Sequence, residues 1–190
     1  LIGGQFQNNF RTRFYAYDQF EEYFDGNIPY QTFAFYAQNE WEPFQWLAIT
    51  AGGRFDYAYL GKTALTPKLA FNFFVSPKLT IKALYSEAFR AATMFEINVD
   101  DGGYFAPNPN LIPERVRAFE ISAEQRLSKY FWLVGSVYRN SMINLIDPVE
   151  DPVDLTLQNQ NIGDAVGQGI ELEANARLRN RMKFYANYGL

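Results

Sequence analysis

The chain has 190 residues, 48% hydrophobic and 18% aromatic (18 Phe, 13 Tyr, 3 Trp), and acids exceed bases by 21 to 17, a net charge of −4. With no Cys and no His it can hold no disulfide, no thiolate or imidazole metal site, no Cys nucleophile and no Ser-His-Asp triad. A net acid without a basic block is a poor nucleic-acid binder, and no apolar run approaches the length of a transmembrane helix.

Taken in chain order, the elements are strands. A first strand covers roughly 1–8, and a long aromatic segment follows at 9–30. Phe33, Phe35, Ala37 and Trp41 then fall on one side of a strand at 31–42, opposite Thr32, Ala34, Tyr36, Gln38 and Glu40. The pattern restarts at 46–58, where Leu47, Ile49, Ala51, Gly53, Phe55 and Tyr57 oppose Ala48, Thr50, Gly52, Arg54 and Asp56. Further strands cover 64–75 and 79–89, joined by the turn Ser76-Pro77-Lys78. After a long segment at 90–115 come strands at 116–127 and 131–145, joined at 128–130; the facing of Phe131–Ile143 cannot be assigned from sequence. A third long segment, 146–165, precedes strands at 166–178 and 182–190, joined at Arg179-Asn180-Arg181. Alternation of this kind marks strands with one apolar and one polar face.

About nine strands result, and their connections alternate between tight and long, with only 59–63 breaking the trend. Tight turns on one rim and long loops on the other are the pattern of an antiparallel transmembrane β-barrel with short periplasmic turns and long extracellular loops. Strands of about 10 residues or more suit a tilted bilayer crossing. A soluble β-sandwich also alternates, but its strands are usually about half as long. The barrel also accounts for the aromatic excess at a mean hydropathy of −0.26. Its polar residues face a lumen, while Trp41, Phe44, Trp46, Tyr57, Tyr59, Tyr130, Phe131 and Trp132 gather near strand ends, where interfacial girdles sit. The chain begins and ends inside patterned sequence, so residues 1–190 are expected to be part of a larger wall.

The motifs lie between 64 and 173. Leu65-Thr66-Pro67-Lys68-Leu69 precedes Tyr85-Ser86-Glu87-Ala88-Phe89-Arg90-Ala91. Next come Asn108-Pro109-Asn110-Leu111-Ile112-Pro113-Glu114 and Phe119-Glu120-Ile121. Later elements are Tyr138–Ile146, Asn161-Ile162-Gly163 and Gly167-Gln168-Gly169-Ile170-Glu171-Leu172-Glu173. In order and spacing this resembles the barrel of TonB-dependent outer-membrane receptors, over about 46–190. The mechanical reading of Phe89, Arg90, Asn108, Pro109, Asn110, Leu111, Pro113, Glu114 and Glu120 is loop anchoring. Asn-Pro-Asn and Pro113 aim a long loop back into the sheet, and a Glu–Arg pair among Glu114, Glu120, Arg90, Arg115 and Arg117 fixes its base. Asn161-Ile162-Gly163 re-enters the next strand.

The resemblance implies an outer-membrane receptor that binds a scarce nutrient, with a ferric siderophore as the leading small-molecule ligand. Uptake would draw on a TonB-type energy-transducing partner acting through a plug domain that this chain does not include. The remaining partner is outer-membrane lipid; no cofactor is implied. The family's heme importers place a His between the Phe-Arg-Ala and Asn-Pro-Asn-Leu elements, and its absence here argues against heme. Candidate ligand contacts are Arg11, Arg13, Tyr15, Tyr17 and Tyr23 in segment 9–30, and Tyr104, a possible ferric phenolate that reads more simply as a loop aromatic. Carboxylates at 147–164 and 100–103 could hold Ca²⁺, but a solvated acidic rim is the default. No catalytic constellation stands out, and Glu171 and Glu173 suit a lumen wall. Two other readings stay open: a passive porin, and a soluble carbohydrate-binding module with aromatic platforms.

Overall fold

The computed structural model describes residues 1–17, 22–58, 62–101, 103–178 and 182–190. Its strands are β1 (Ile2–Asn9), β2 (Arg13–Tyr17), β3 (Glu22–Asn27), β4 (Tyr30–Phe44), β5 (Leu47–Tyr57), β6 (Thr63–Ser76) and β7 (Leu79–Arg90). A short helix α1 (Met94–Asn98) precedes β8 (Phe105–Ala106), β9 (Glu114–Arg126), β10 (Phe131–Glu150), β11 (Leu157–Arg177) and β12 (Lys183–Gly189). Nine of these form one antiparallel meander in the order β1-β4-β5-β6-β7-β9-β10-β11-β12. Sequential hairpins of this kind need no crossover, and they place every tight turn on one side and every loop on the other.

The tight turns have local causes. Ser76 Oγ accepts the N–H groups of Lys78 and Leu79 at 3.2 and 3.1 Å. Ser128 Oγ accepts those of Tyr130 and Phe131, both at 3.1 Å. A serine hydroxyl that caps the backbone two and three residues on folds the chain back at once. Phe44 and Trp46 stack at 5.2 Å across the β4–β5 turn, and Phe33 stacks on Tyr57 at 4.7 Å at the loop side of the same strands. The turn at 179–181 and residues 59–61 of the neighbouring connection lie outside the described residues.

Register carries the two faces across the whole wall. One apolar row runs Phe35, Phe55, Leu65, and another runs Ile81, Ala123, Gly135, Leu172, Tyr188. The opposite rows hold Gln5, Tyr36, Arg54, Lys68, Lys82, Glu120, Glu171 and Glu173. Phe35 is 64% exposed while its neighbour Ala34 is only 3% exposed. Bulky side chains stay open on the apolar face while small ones are buried on the polar face, so the sheet is concave toward its polar side. Gly52 serves this curvature: a Cβ there would lie 2.9 Å from the Ala37 carbonyl oxygen. This register also settles the facing of β10, with Leu133 and Val137 on the apolar side.

The long segments differ from the sequence reading in having structure of their own. Segment 9–30 contains the β2–β3 hairpin, a separate two-stranded sheet. Segment 90–115 contains α1 and β8. Segment 146–165 is mostly strand, because β10 and β11 continue as a ribbon to Glu150 and from Leu157. Asn161-Ile162-Gly163 therefore lies inside β11 and does not lead into it. A bulge at Met142–Ile146, with Asn144 at φ 58°, resets the alternation where wall becomes ribbon.

Candidate functional site

The loop side carries the residues with chemistry. At its centre Arg90, the last residue of β7, meets two carboxylates. Its Nε and Nη2 donate to Glu114 Oε2 and Oε1, both at 2.7 Å. Its Nη1 donates to Glu96 at 2.9 and 3.1 Å. Glu96 belongs to a capping box: Thr93 N–H donates to its carboxylate at 2.6 Å, and its own N–H donates to Thr93 Oγ1 at 3.1 Å. Glu114 Oε1 also accepts the Ile146 N–H at 2.9 Å. One guanidinium thus ties β7, α1 and β9 together, and the same carboxylate reaches β10.

An asparagine latch fastens the rest of segment 91–113. Asn108 Nδ2 donates to the Asn159 carbonyl at 2.7 Å, and Asn159 Nδ2 donates to the Glu96 carbonyl at 3.0 Å. Asn161 donates to the Ile112 and Asn144 carbonyls at 2.9 and 2.8 Å and accepts the Ile112 N–H at 2.9 Å. Leu111, 1% exposed, packs with Ala92 and Ile97, and Ile146 packs against this cluster. The structure therefore gathers Arg90, Asn108, Leu111 and Glu114 at the loop base. Asn110 donates its N–H to Asn108 Oδ1 at 3.0 Å within the turn, and Pro109 is exposed. Pro113 immediately precedes β9.

Four expected members of the group sit elsewhere. Glu120 lies mid-strand on the polar face, opposite Leu84 and Tyr138. Phe89, Arg115 and Arg117 lie on the apolar face, because alternation puts them a half-period from Arg90 and Glu114. Glu87, on that face, pairs with both arginines at 3.4 Å.

Burial alone would raise the Glu96 carboxyl, the largest single influence on it. Arg90 and Thr93 together outweigh burial and hold it below the usual carboxylate range. A folded-state value below the unfolded one stabilises the loop above the usual range and loses that stabilisation as pH falls through it. Acidification should therefore release the α1 cap first. The Thr93 and Glu96 amides, protected from hydrogen exchange near neutral pH, should lose protection below the carboxylate range, while mid-β9 amides keep theirs. Simultaneous loss at both places would contradict this.

The β2–β3 hairpin carries the other candidates. Arg13 Nε and Nη2 grip Asp25 Oδ1 and Oδ2 at 2.8 and 2.7 Å, and the guanidinium lies 5.8 Å from the Tyr15 ring centre. These bonds hold the Asp25 carboxyl below its usual range, with Arg11 adding at longer range. Tyr15 and Arg11 are exposed. Tyr17 and Tyr23 lie on β2 and β3, and their side chains fall outside the described ones. Tyr104 is exposed against the Phe105 edge at 5.4 Å, and its carbonyl accepts the Leu157 N–H at 2.7 Å. At the hairpin base a cavity of about 460 Å³ is lined by Asn8, Ile28, Pro29, Tyr30, Gln31, Tyr57 and Met94. None of these was expected from the sequence as a ligand contact, Tyr57 having been read as a girdle aromatic, because a rim cavity collects residues from four segments and leaves no spacing to read.

The acidic stretches serve their own turns. Asp101 Oδ1 accepts the N–H groups of Gly103, Tyr104 and Phe105 at 3.3, 2.7 and 2.6 Å. Asp151 and Asp154 accept the Val153 and Thr156 N–H groups at 2.8 and 3.0 Å. Among the described residues no three carboxylates converge on a metal position.

Comparison with known proteins places this architecture. A family described as TonB dependent receptor-like, beta-barrel, matches residues 1–190. The heme/hemopexin utilization protein C of Haemophilus influenzae is 30% identical over 151 residues, covering 66% of this chain and 21% of that protein. A mutant of the ferric enterobactin receptor PfeA of Pseudomonas aeruginosa superposes with a TM-score of 0.73 at 21% identity, over 86% of this chain and 27% of that one. The siderophore receptor PirA of the same organism gives 0.71 at 23% identity, over 86% and 32%. The chain thus spans between a fifth and a third of these proteins. The structural likenesses establish the shared barrel-wall fold. A family match that leaves no residue out adds common descent: this chain belongs to the TonB-dependent receptor β-barrel family.

Proposed function

We propose that the chain is part of the barrel of a bacterial outer-membrane receptor that binds a ferric siderophore at its exterior loops and imports it with TonB-supplied energy. A plug domain and further strands elsewhere in the protein complete the transporter. The supporting observation is the fastened rim: Arg90, Glu96, Glu114 and the asparagine latch hold an exterior loop in a fixed relation to the wall. A passive pore has no need of so firmly positioned a ligand-facing surface. Family membership also sets aside the porin and the soluble carbohydrate-binding module, and the family is one of transport receptors.

The neighbours' titles speak of ferric enterobactin and siderophores, whereas the Haemophilus relative's name speaks of heme. The absence of His from all 190 residues favours the chelate. Arg11, Arg13, Tyr15, Tyr17, Tyr23 and Tyr104 are the proposed contacts. Arginine and tyrosine dominate binding hot spots because they bring large rigid surfaces with a polar end. Replacing residues 11–28 of the full-length receptor by a short turn should weaken ferric siderophore binding about tenfold or more without preventing barrel assembly. Tryptophan fluorescence titration with ferric enterobactin and with heme reads both points. Unchanged affinity rejects the hairpin's role, and tight heme binding with none of the chelate rejects the cargo.

A further inference from the structure

The apolar face is interrupted by charge in one place. Along the paired rows below the β10 bulge, its charged side chains among the described residues are Glu87, Arg115, Arg117 and Arg139. They form one patch. Arg117 is opposite Glu87, Arg115 is one step further along β9, and Arg139 is opposite Phe119 on β10. Arg139 is thus diagonal to Arg117, roughly 7–8 Å away. Glu87, with an 11% exposed side chain, accepts from Tyr85 and pairs with two of the arginines, while Arg117 is 52% exposed. Arg139 is exposed and held by no hydrogen bond or ion pair among the described residues. Three arginines against one glutamate leave a net surplus of two positive charges.

The height of the patch is set by the strands. Arg117 lies nine residues from the turn-side end of β9 at Arg126. At ~3.3 Å per residue that is about 30 Å along the strand. At a tilt of about 40° it is about 23 Å of vertical rise, against an apolar band about 25 Å tall. The arginines therefore stand at the exterior edge of the hydrocarbon, above Ile121, Val137 and Ile170. Tyr85 and Phe119 share that level, as an interfacial girdle requires. Below the patch, small residues open a groove of about 490 Å³ lined by Ala123, Leu133, Gly135, Leu172, Ala174 and Ala186. The groove begins at Ala123, six residues below Arg117 on β9, about 20 Å along the strand, and a phosphate head on the arginines with an acyl chain running down past Ile121 to the groove suits that pairing.

We propose that Arg115, Arg117 and Arg139 form a binding site for the phosphate group of a lipid in the exterior leaflet, with an acyl chain lying in the groove below. The site rests on the reading that this face meets a membrane. It would fix the rotational setting of the wall against its lipid annulus, on the face opposite to the cargo path.

The test uses the full-length receptor in phosphatidylcholine nanodiscs containing 10% phosphatidic acid, with retained lipids counted by native mass spectrometry. The wild type should retain phosphatidic acid over phosphatidylcholine, and Arg117→Gln with Arg139→Gln should weaken that preference about thirtyfold. Lys68→Gln with Lys82→Gln removes the same charge from the polar face and should leave the preference intact. Inorganic phosphate at matching concentration should not compete. An equal loss in the lysine variant, full competition by free phosphate, or no preference in the wild type would each overturn the proposal. Failure of the receptor to enter nanodiscs would overturn the membrane reading along with it.

Discussion

Replacing Leu111 by alanine should open the exterior loop of the intact receptor about a hundredfold more often. The side chain is 1% exposed and is, with Ile97, one of the two large fully buried side chains, in a cluster with Ala92 and Ile146. Buried Leu→Ala changes cost about 2–5 kcal/mol, because transfer energy is lost and a cavity remains. About 3 kcal/mol suits a cluster too small to repack, and each 1.4 kcal/mol is tenfold. The loss falls on docking of segment 91–113, since the strand residue packed on the cluster, Ile146, lies at the upper end of the β10 bulge. Hydrogen exchange should show lost protection over α1 and 108–113, with β7 and β9 unchanged. Undiminished protection would mean that Arg90 and the asparagines hold the loop without an apolar core.

Leu172→Arg should destabilise the receptor in a bilayer by about 2–4 kcal/mol, the cost of a cation near the midplane of a barrel's lipid face. Leu172 is 57% exposed in the apolar row and is paired with Gly135. Gly135 lies four residues above the turn-side end of β10 at Phe131. That is about 13 Å along the strand and roughly 10 Å of rise at the usual tilt, close to mid-band. Its neighbour Glu173 points to the polar face and accepts from Asn175 Nδ2 at 2.5 Å. Glu173→Gln keeps an acceptor there and should cost little. Urea unfolding in phospholipid vesicles compares the two, and equal costs would contradict the assignment of faces.

The wall was legible because a single physical rule, apolar out and polar in, acts on every residue of it. Alternation and turn residues located the nine meander strands and the tight turns at 43–45, 76–78 and 128–130, and the order of motifs pointed to the family. Legibility failed where that rule stops acting. In segment 9–30 the sequence sets Phe14, Tyr15 and Tyr17 at both odd and even positions, so no period of two survives. In β10 the bulge at Asn144 shifts the phase and Pro148 argues against a strand, so the ribbon reads as loop. Five residues of α1 are too few to show a helical period, although Thr93-Met94-Phe95-Glu96 is a capping box and was there to be read.

The loop base was partly legible. A Glu–Arg pair was expected, and Arg90 with Glu114 forms it, since residues at facing strand ends must meet if the strands are neighbours. Glu120, Arg115 and Arg117 were grouped with that pair by proximity in sequence alone. A period of two divides them between faces, and applying it would have separated them at once.

The asparagine latch also carries a chronology. Asn108 is joined to Asn159 across 51 residues, Asn161 to Ile112 across 49, and Asn159 to Glu96 across 63. The hairpins of the wall close on immediate neighbours, so each can zip as soon as its second strand arrives. Segment 91–113 has to wait until β11 is in register before its asparagine fastenings exist. In any assembly that proceeds along the chain, β7 and β9 are joined while their loop is held only through Arg90 and Glu96. The exterior surface therefore takes its final shape late, after the part of the wall that carries it.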